Sequence, residues 1–181
     1  MDADPEFIAF VRRRGDHHLR TAVLLTGDWH TAEDLVQTGL VKLYRVWSRL
    51  DTTADPDAYL RRILVNTHRS WWRARWRREV PAAGLPDRAG AGDPADDQAV
   101  AEVVRKALTA LPVRQRTALV LRFFEDLPEA QVAELMGCSA GSVKTHAHRG
   151  LRAMRRLLPE DVWERRRAAV NETPARGSEV R

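Results

Sequence analysis

Residues 128–158 read PEAQVAELMGCSAGSVKTHAHRGLRAMRRLL, and this stretch decides the fold class. Val132, Leu135 and Met136 give a short first helix an apolar side. Gly137 then stands where a left-handed C-terminal cap belongs, and Ser139 is placed to cap a second helix. On that helix Val143, Ala147, Gly150, Leu151, Met154 and Leu158 recur at i, i+4, i+7, i+8, i+11 and i+15, which is one continuous buried stripe. At about 100° per residue the opposite face carries Ser142, Thr145, Arg149, Arg152 and Arg156, flanked by Lys144, His146 and His148. An amphipathic helix with a solvated basic face would share the stripe. The tight turn adds a short helix, a Gly and a capping Ser in front of it, which is the layout of a helix-turn-helix whose second helix enters a major groove. Short polar groups near its N-terminus suit base edges, and the later arginines suit phosphates.

Working outward, the preceding residues continue the helical pattern. Val100, Val103, Val104, Ala107, Leu108 and Leu111 share one period, as do Val36, Leu40, Leu43, Trp47 and Leu50. Asp55 with Pro56 is a cap and first-turn pair opening another helix, with Leu60, Ile63, Leu64, Thr67 and Trp71 on its inner face. No alternating run argues for a strand. Between these halves, residues 81–98 read PAAGLPDRAGAGDPADDQ, too rich in Pro, Gly and Asp to bury a core. The expectation is an all-α chain of two small domains, residues 1–80 and 99–158, with about four helices each. A flexible linker over 81–98 joins them, and a tail over 159–181 ends in disorder.

Composition narrows the function. The chain has 181 residues, one Cys and a formal net charge of +5, with 30 Lys+Arg against 25 Asp+Glu. A lone Cys138 excludes a disulfide framework. No run approaches a membrane span, and the N-terminus lacks the apolar core of a secretory signal, so a cytoplasmic location without membrane insertion is expected. His17 and His18 are adjacent and His146 and His148 two apart, spacings that do not set two ligands on one helix face, so neither a metal nor another cofactor is expected. There is no phosphate loop, nucleophile elbow or paired carboxylate motif, and the chain reads as a non-enzyme.

A second motif is unusual. From Tyr59 to Glu79 the chain reads YLRRILVNTHRSWWRARWRRE, with Trp71, Trp72 and Trp76 among arginines. Trp71 belongs to the core stripe. Trp72 lies on a neighbouring face beside Arg69 and Arg73, a combination suited to stacking on unpaired bases while neutralising phosphates.

Three ordered stretches, AEDLVQTGLVKLYRVW, DPDAYLRRILVNTHR and ALPVRQRTALVLRFFEDLPEAQVAELMGCSAGSVKTHAHRGLRAMRRL, together resemble the extracytoplasmic-function sigma factors of the sigma-70 family, and within them the SigE-type subgroup. The resemblance covers about residues 5 to 158. It implies that the first domain is sigma region 2, whose Asp34, Leu35, Gln37, Lys42 and Leu43 meet the clamp helices of the RNA polymerase largest subunit. It implies that Asp57, Tyr59, Arg62, Asn66, Arg69, Trp72 and Arg73 bind the promoter minus-ten element, with one base captured outside the duplex. The second domain would be region 4, with Ser142, Lys144, Thr145, His146, Arg149, Arg152 and Arg156 on the minus-thirty-five element and another surface on the polymerase flap. An anti-sigma factor is an implied partner. Thr38 replaces the family's usual carboxylate after the Gln, and Pro128 replaces its usual capping Ser. Separating DNA costs roughly 1.4 kcal/mol per base-pair step, which strand-binding Trp and Arg side chains can offset. The competing reading is a free-standing helix-turn-helix repressor or activator, which would normally dimerise on a two-fold site.

Overall fold

The computed structural model describes residues 4–50, 54–76, 95–160 and 162, the side chains of residues 75, 76 and 95–98 excepted. Among the described residues every regular element is helical: α1 (Pro5–Thr26), α2 (Trp29–Trp47), α3 (Pro56–Trp76), α4 (Ala95–Thr109), α5 (Val113–Leu119), α6 (Glu129–Met136) and α7 (Ala140–Leu157). A π-helical turn over Val120–Phe124 extends α5. The all-α expectation holds. Three helices, not about four, precede the Pro/Gly-rich stretch among the described residues, because α1 runs unbroken for 22 residues. α4 already begins at Ala95, inside the stretch expected to be linker; residues 81–94 and the tail's end lie outside the described residues.

Local chemistry sets most helix ends. Asp4 accepts hydrogen bonds from the Glu6 and Phe7 amides, with Pro5 in the first turn. Asp28 accepts from the Thr31 amide at 2.7 Å, and these bonds, against some burial, hold its carboxyl below its ordinary range. Such caps satisfy amides that no helix can pair internally. At the decisive turn, Gly137 closes α6 with φ +60°, and its amide bonds back to Ala133 and Glu134 carbonyls. Ser139 Oγ then accepts from the Ser142 amide at 3.1 Å and starts α7. Pro128 stands at the start of α6 without a side-chain cap.

Three clusters form the interior. The first joins α1, α2 and α3 through Phe10, Ala22, Leu35, Val36, Leu43, Leu60 and Leu64. The second joins α4, α5 and α7 through Leu108, Leu111, Leu119, Met154 and Leu158. A third crosses between the two halves: Leu25 of α1 and Val65 of α3 pack with Ala118, Leu121, Val132, Met136 and Val143. The two halves dock here through Leu25 and Val65, apolar side chains left over after the first core is filled.

Polar groups are buried at this junction. Arg116 is 7% exposed, its Nε has no partner, and burial pushes its guanidinium down to about 10. Nearby His68 is buried, and desolvation together with the charge of Arg116 pushes its imidazole down to about 4.

Candidate nucleic-acid and polymerase interfaces

The α7 face is the most complete of the candidate surfaces. Val143, Gly150 and Met154 are buried as the stripe requires, while Lys144, Thr145, Arg149, Arg152 and Arg156 are exposed and Ser142 and His146 half-buried. Two of the short polar groups are held locally: Ser142 Oγ lies 2.9 Å from Ser139 Oγ, and Thr145 Oγ1 donates to the Gly141 carbonyl at 2.9 Å. Each retains lone pairs, and neither hydroxyl is free to wander. Lys144 reaches Glu129 across the turn at 3.5 Å, an exposed contact of small worth that a phosphate can replace. His146 is held below its ordinary value by burial and by Arg114 and Arg149. That places Arg114, at the start of α5, in the same basic field. Reading the helix-turn-helix alone misses Arg114, because it lies outside that motif.

On α3, Tyr59, Arg62, Asn66, Arg69 and Arg73 fall at i, i+3, i+7, i+10 and i+14, one stripe opposite the buried Leu60, Leu64 and Thr67. Trp72 stands next to it, 38% exposed. Trp76's side chain lies outside the described residues. Asp57 differs from the others. Its Oδ1 takes a bond from Arg14 Nε at 2.7 Å and one from His18 Nε2 at 2.8 Å. Burial alone would raise its carboxyl, yet these two partners hold it below the ordinary value. His18 is fully buried, and burial holds it neutral despite the carboxylate. Its proton therefore sits on Nε2, leaving Nδ1 as the unpartnered lone pair. In this arrangement Asp57 fastens α1 to α3 rather than facing outward.

The polymerase-contact set on α2 divides. Asp34 and Gln37 are exposed, and Lys42 is exposed while its Nζ donates to Thr67 Oγ1 at 2.9 Å. Leu35 and Leu43 are each 0% exposed and belong to the α1–α3 core, so their expected contact role is corrected: no partner reaches them. Helical geometry explains it, because both lie on the arc of Ala32, Val36 and Gly39 that meets α3. The outward stripe instead runs Asp34, Gln37, Val41 and Tyr44, with Val41 49% and Tyr44 38% exposed. Spacing could have found these two, as the residues left after the buried arc is subtracted.

The α3 stripe faces the second half of the molecule. A cleft of about 250 Å³ is bounded by His68, Arg69 and Trp72 on α3, by Arg114 and Thr117 on α5, and by Met136 at the end of α6. Arg69 Nη1 donates to the Met136 carbonyl at 3.0 Å, and Arg62 Nη2 lies 3.2 Å from Glu134. A cation at a helix C-terminus satisfies carbonyls the helix leaves open. One residue given no role by the sequence reading joins the halves. Glu125, with a side chain 1% exposed, receives Arg61 Nε at 2.6 Å, lies 3.1 Å from His17 Nε2 and accepts the Thr21 hydroxyl. Burial would raise its carboxyl, but Thr21 and Arg61 outweigh it and hold it below the ordinary range.

No group of three or more candidate metal ligands occurs among the described residues, and no described helix is long and apolar enough to cross a membrane.

Comparison with known proteins converges with this geometry. Residues 10–78 match the family description "Sigma-70 region 2" and residues 101–154 match "Sigma-70, region 4". The chain is 40% identical over 153 residues to an RNA polymerase sigma-E factor of Streptomyces avermitilis, covering 84% of this chain and 85% of that one. It is 39% identical to the protein of the same name from Streptomyces coelicolor, over 84% and 86% of the two chains. Among solved structures it is similar in fold to the sigma factor RpoE of Bartonella quintana, crystallised with the anti-sigma factor NepR. The TM-score is 0.71 at 24% identity, covering 87% of this chain and 99% of that one.

Proposed function

The chain belongs to the sigma-70 family as an RNA polymerase sigma factor of the extracytoplasmic-function group, and from that premise we propose how its surfaces divide the work of promoter recognition. Core polymerase docks on the outward stripe of α2, through Asp34, Gln37, Val41 and Tyr44, with Lys42 beside them. The α3 stripe holds the separated minus-ten strand: Tyr59 and Trp72 offer ring faces, and Arg62, Arg69 and Arg73 offer charge. The α7 face reads the minus-thirty-five element, with Ser142 and Thr145 at base edges and Arg149, Arg152 and Arg156 along the backbone. Lys144, His146 and Arg114 add to the positive field that draws the duplex in.

The observation that carries this reading is the α7 face itself, an exposed arc with basic charge only, set behind a glycine-closed, serine-capped turn. The chain acts as a binding subunit, and bond-making belongs to the polymerase it joins. It works in the cytoplasm, where promoter DNA is. A regulator of the anti-sigma kind is a partner by analogy with the Bartonella quintana complex, which pairs a sigma factor of similar fold with one.

Run-off transcription with purified core RNA polymerase on genomic fragments, with and without the chain, tests the proposal. New start sites sharing two spaced upstream motifs are expected. Absence of starts, together with protection of a symmetric duplex site by the chain alone, would return it to a free-standing regulator.

A further inference from the structure

We propose that the cleft between α3 and helices α5 and α6 is a binding site for a free nucleoside polyphosphate, a small-molecule input to a chain whose other partners are macromolecules. Its effect on activity rests on the assignment of α3 as the minus-ten surface; the binding itself does not. The cleft holds about 250 Å³. At ~30 Å³ of liquid per water this is room for roughly eight waters, enough for one base with its sugar and too little for two bases. Its walls come from both halves of the molecule, a setting in which small-ligand sites are commonly built.

Three arginines border the cleft, Arg69 and Arg73 from α3 and Arg114 from α5, and among the described residues no carboxylate does. Arg69 is already fixed in place: its Nη1 is bonded to the Met136 carbonyl at 3.0 Å, and its Nε is buried with no partner. Gly137 keeps that seat open, because a Cβ there would come within 2.7 Å of Nη1. Cations fixed around a partly enclosed space attract an anion more strongly than the same charges on an open surface. The rest of the lining carries no charge. Val65 and Met136 are apolar, and His68 stays neutral down to about pH 4. Trp72, 38% exposed, adds an indole. A simple anion meets the arginines and leaves the apolar wall uncovered, and a nucleoside does the reverse. A nucleotide meets both demands. Arg73 and Arg114 are exposed on different walls, so two or more phosphates engage more charge than one. Such a ligand occupies Arg69, Trp72 and Arg73 and excludes the separated strand from the same side chains.

The test is calorimetric titration of the full chain with ADP, ATP, GDP and GTP at fixed salt, with adenosine, guanosine and pyrophosphate as the fragments. Saturable one-to-one binding is expected, about tenfold or more tighter for a nucleotide than for either of its fragments. Arg114→Ala, a change at an exposed residue, should weaken nucleotide binding about tenfold. Arg152→Ala removes the same charge from α7, away from the cleft, and should leave it unchanged. An azido derivative of the bound nucleotide should photolabel peptides of both α3 and α5. A pool of random ~20-nucleotide single strands should suppress that labelling.

Single strands that bind while free nucleotides at about 1 mM do not would give the cleft to a base of the strand and overturn the proposal. So would equal weakening by Arg114→Ala and Arg152→Ala, or labelling confined to α7, since either makes the binding a property of general positive charge. Labelling of α3 and α5 that strands fail to suppress would uphold the site and count against the minus-ten assignment instead, with run-off transcription reporting sigma activity separately.

Discussion

His68 gives a pH dependence of stability with a defined sign. Its imidazole is buried on α3 and held near pH 4 instead of the ordinary 6.5, first by desolvation and then by the charge of Arg116. In the unfolded chain it takes a proton near 6.5; in the folded chain it stays neutral until about 4. Between those values the unfolded state binds more protons, so stability falls as pH falls. Above about 6.5 the residue contributes no slope. At about 1.4 kcal/mol per pH unit the full difference is roughly 3 kcal/mol, of which about 2 kcal/mol is lost by pH 5. That is a sizeable part of the roughly 5–15 kcal/mol that holds a typical domain. His68→Leu removes the titration while keeping an apolar side chain beside Val65 and Met136. Urea unfolding of parent and variant at steps from pH 7.5 to 5, compared as a difference, cancels the shared titrations of His18, Asp57 and Glu125. The variant should gain on the parent by about 2 kcal/mol across that range. Parallel curves would refute the reasoning and show that His68 is solvated or paired in the folded chain.

Three other outcomes follow from named contacts. Gly39→Ala adds a Cβ 2.7 Å from Leu64 Cδ2 and 3.1 Å from Leu60 Cδ1, both side chains fully buried. Overpacking of roughly 1–3 kcal/mol should exceed the gain of about 1 kcal/mol in helix propensity, and a raised urea midpoint would count against it. Arg149→Ala should relax upstream-element selectivity by about 1–3 kcal/mol while polymerase binding, followed by gel filtration, is retained; unchanged selectivity would move the reading face elsewhere on α7. Trp72→Ala should slow strand separation more than it weakens initial DNA binding, seen as delayed permanganate reactivity. Equal rates would leave Trp72 a merely structural role.

Much of the molecule is legible along the chain because its determinants are local. The Gly137–Ser139 turn, the α7 stripe and the Asp55–Pro56 opening of α3 depend on residues within one or two turns of each other, and spacing reports them directly. The exposed arginines of α7 follow from the same periodicity. Periodicity fails where a helix has more than one candidate face. Leu35 and Leu43 fit an apolar stripe and a contact motif equally well, and only the seating of α2 on α3 shows that both are buried. It fails altogether for the docking of the two halves. The Thr21 and Glu125 side chains that meet are 104 positions apart, and Glu125 follows an apolar run with nothing to mark it as buried. A buried carboxylate is tolerable only where several donors converge, and Thr21, His17 and Arg61 converge only once the halves have docked. Backbone periodicity and capping chemistry are written in neighbouring residues. Which leftover surface closes on which is settled by burial and charge pairing across the whole chain, and in this sigma factor that choice sets α6 beside α3.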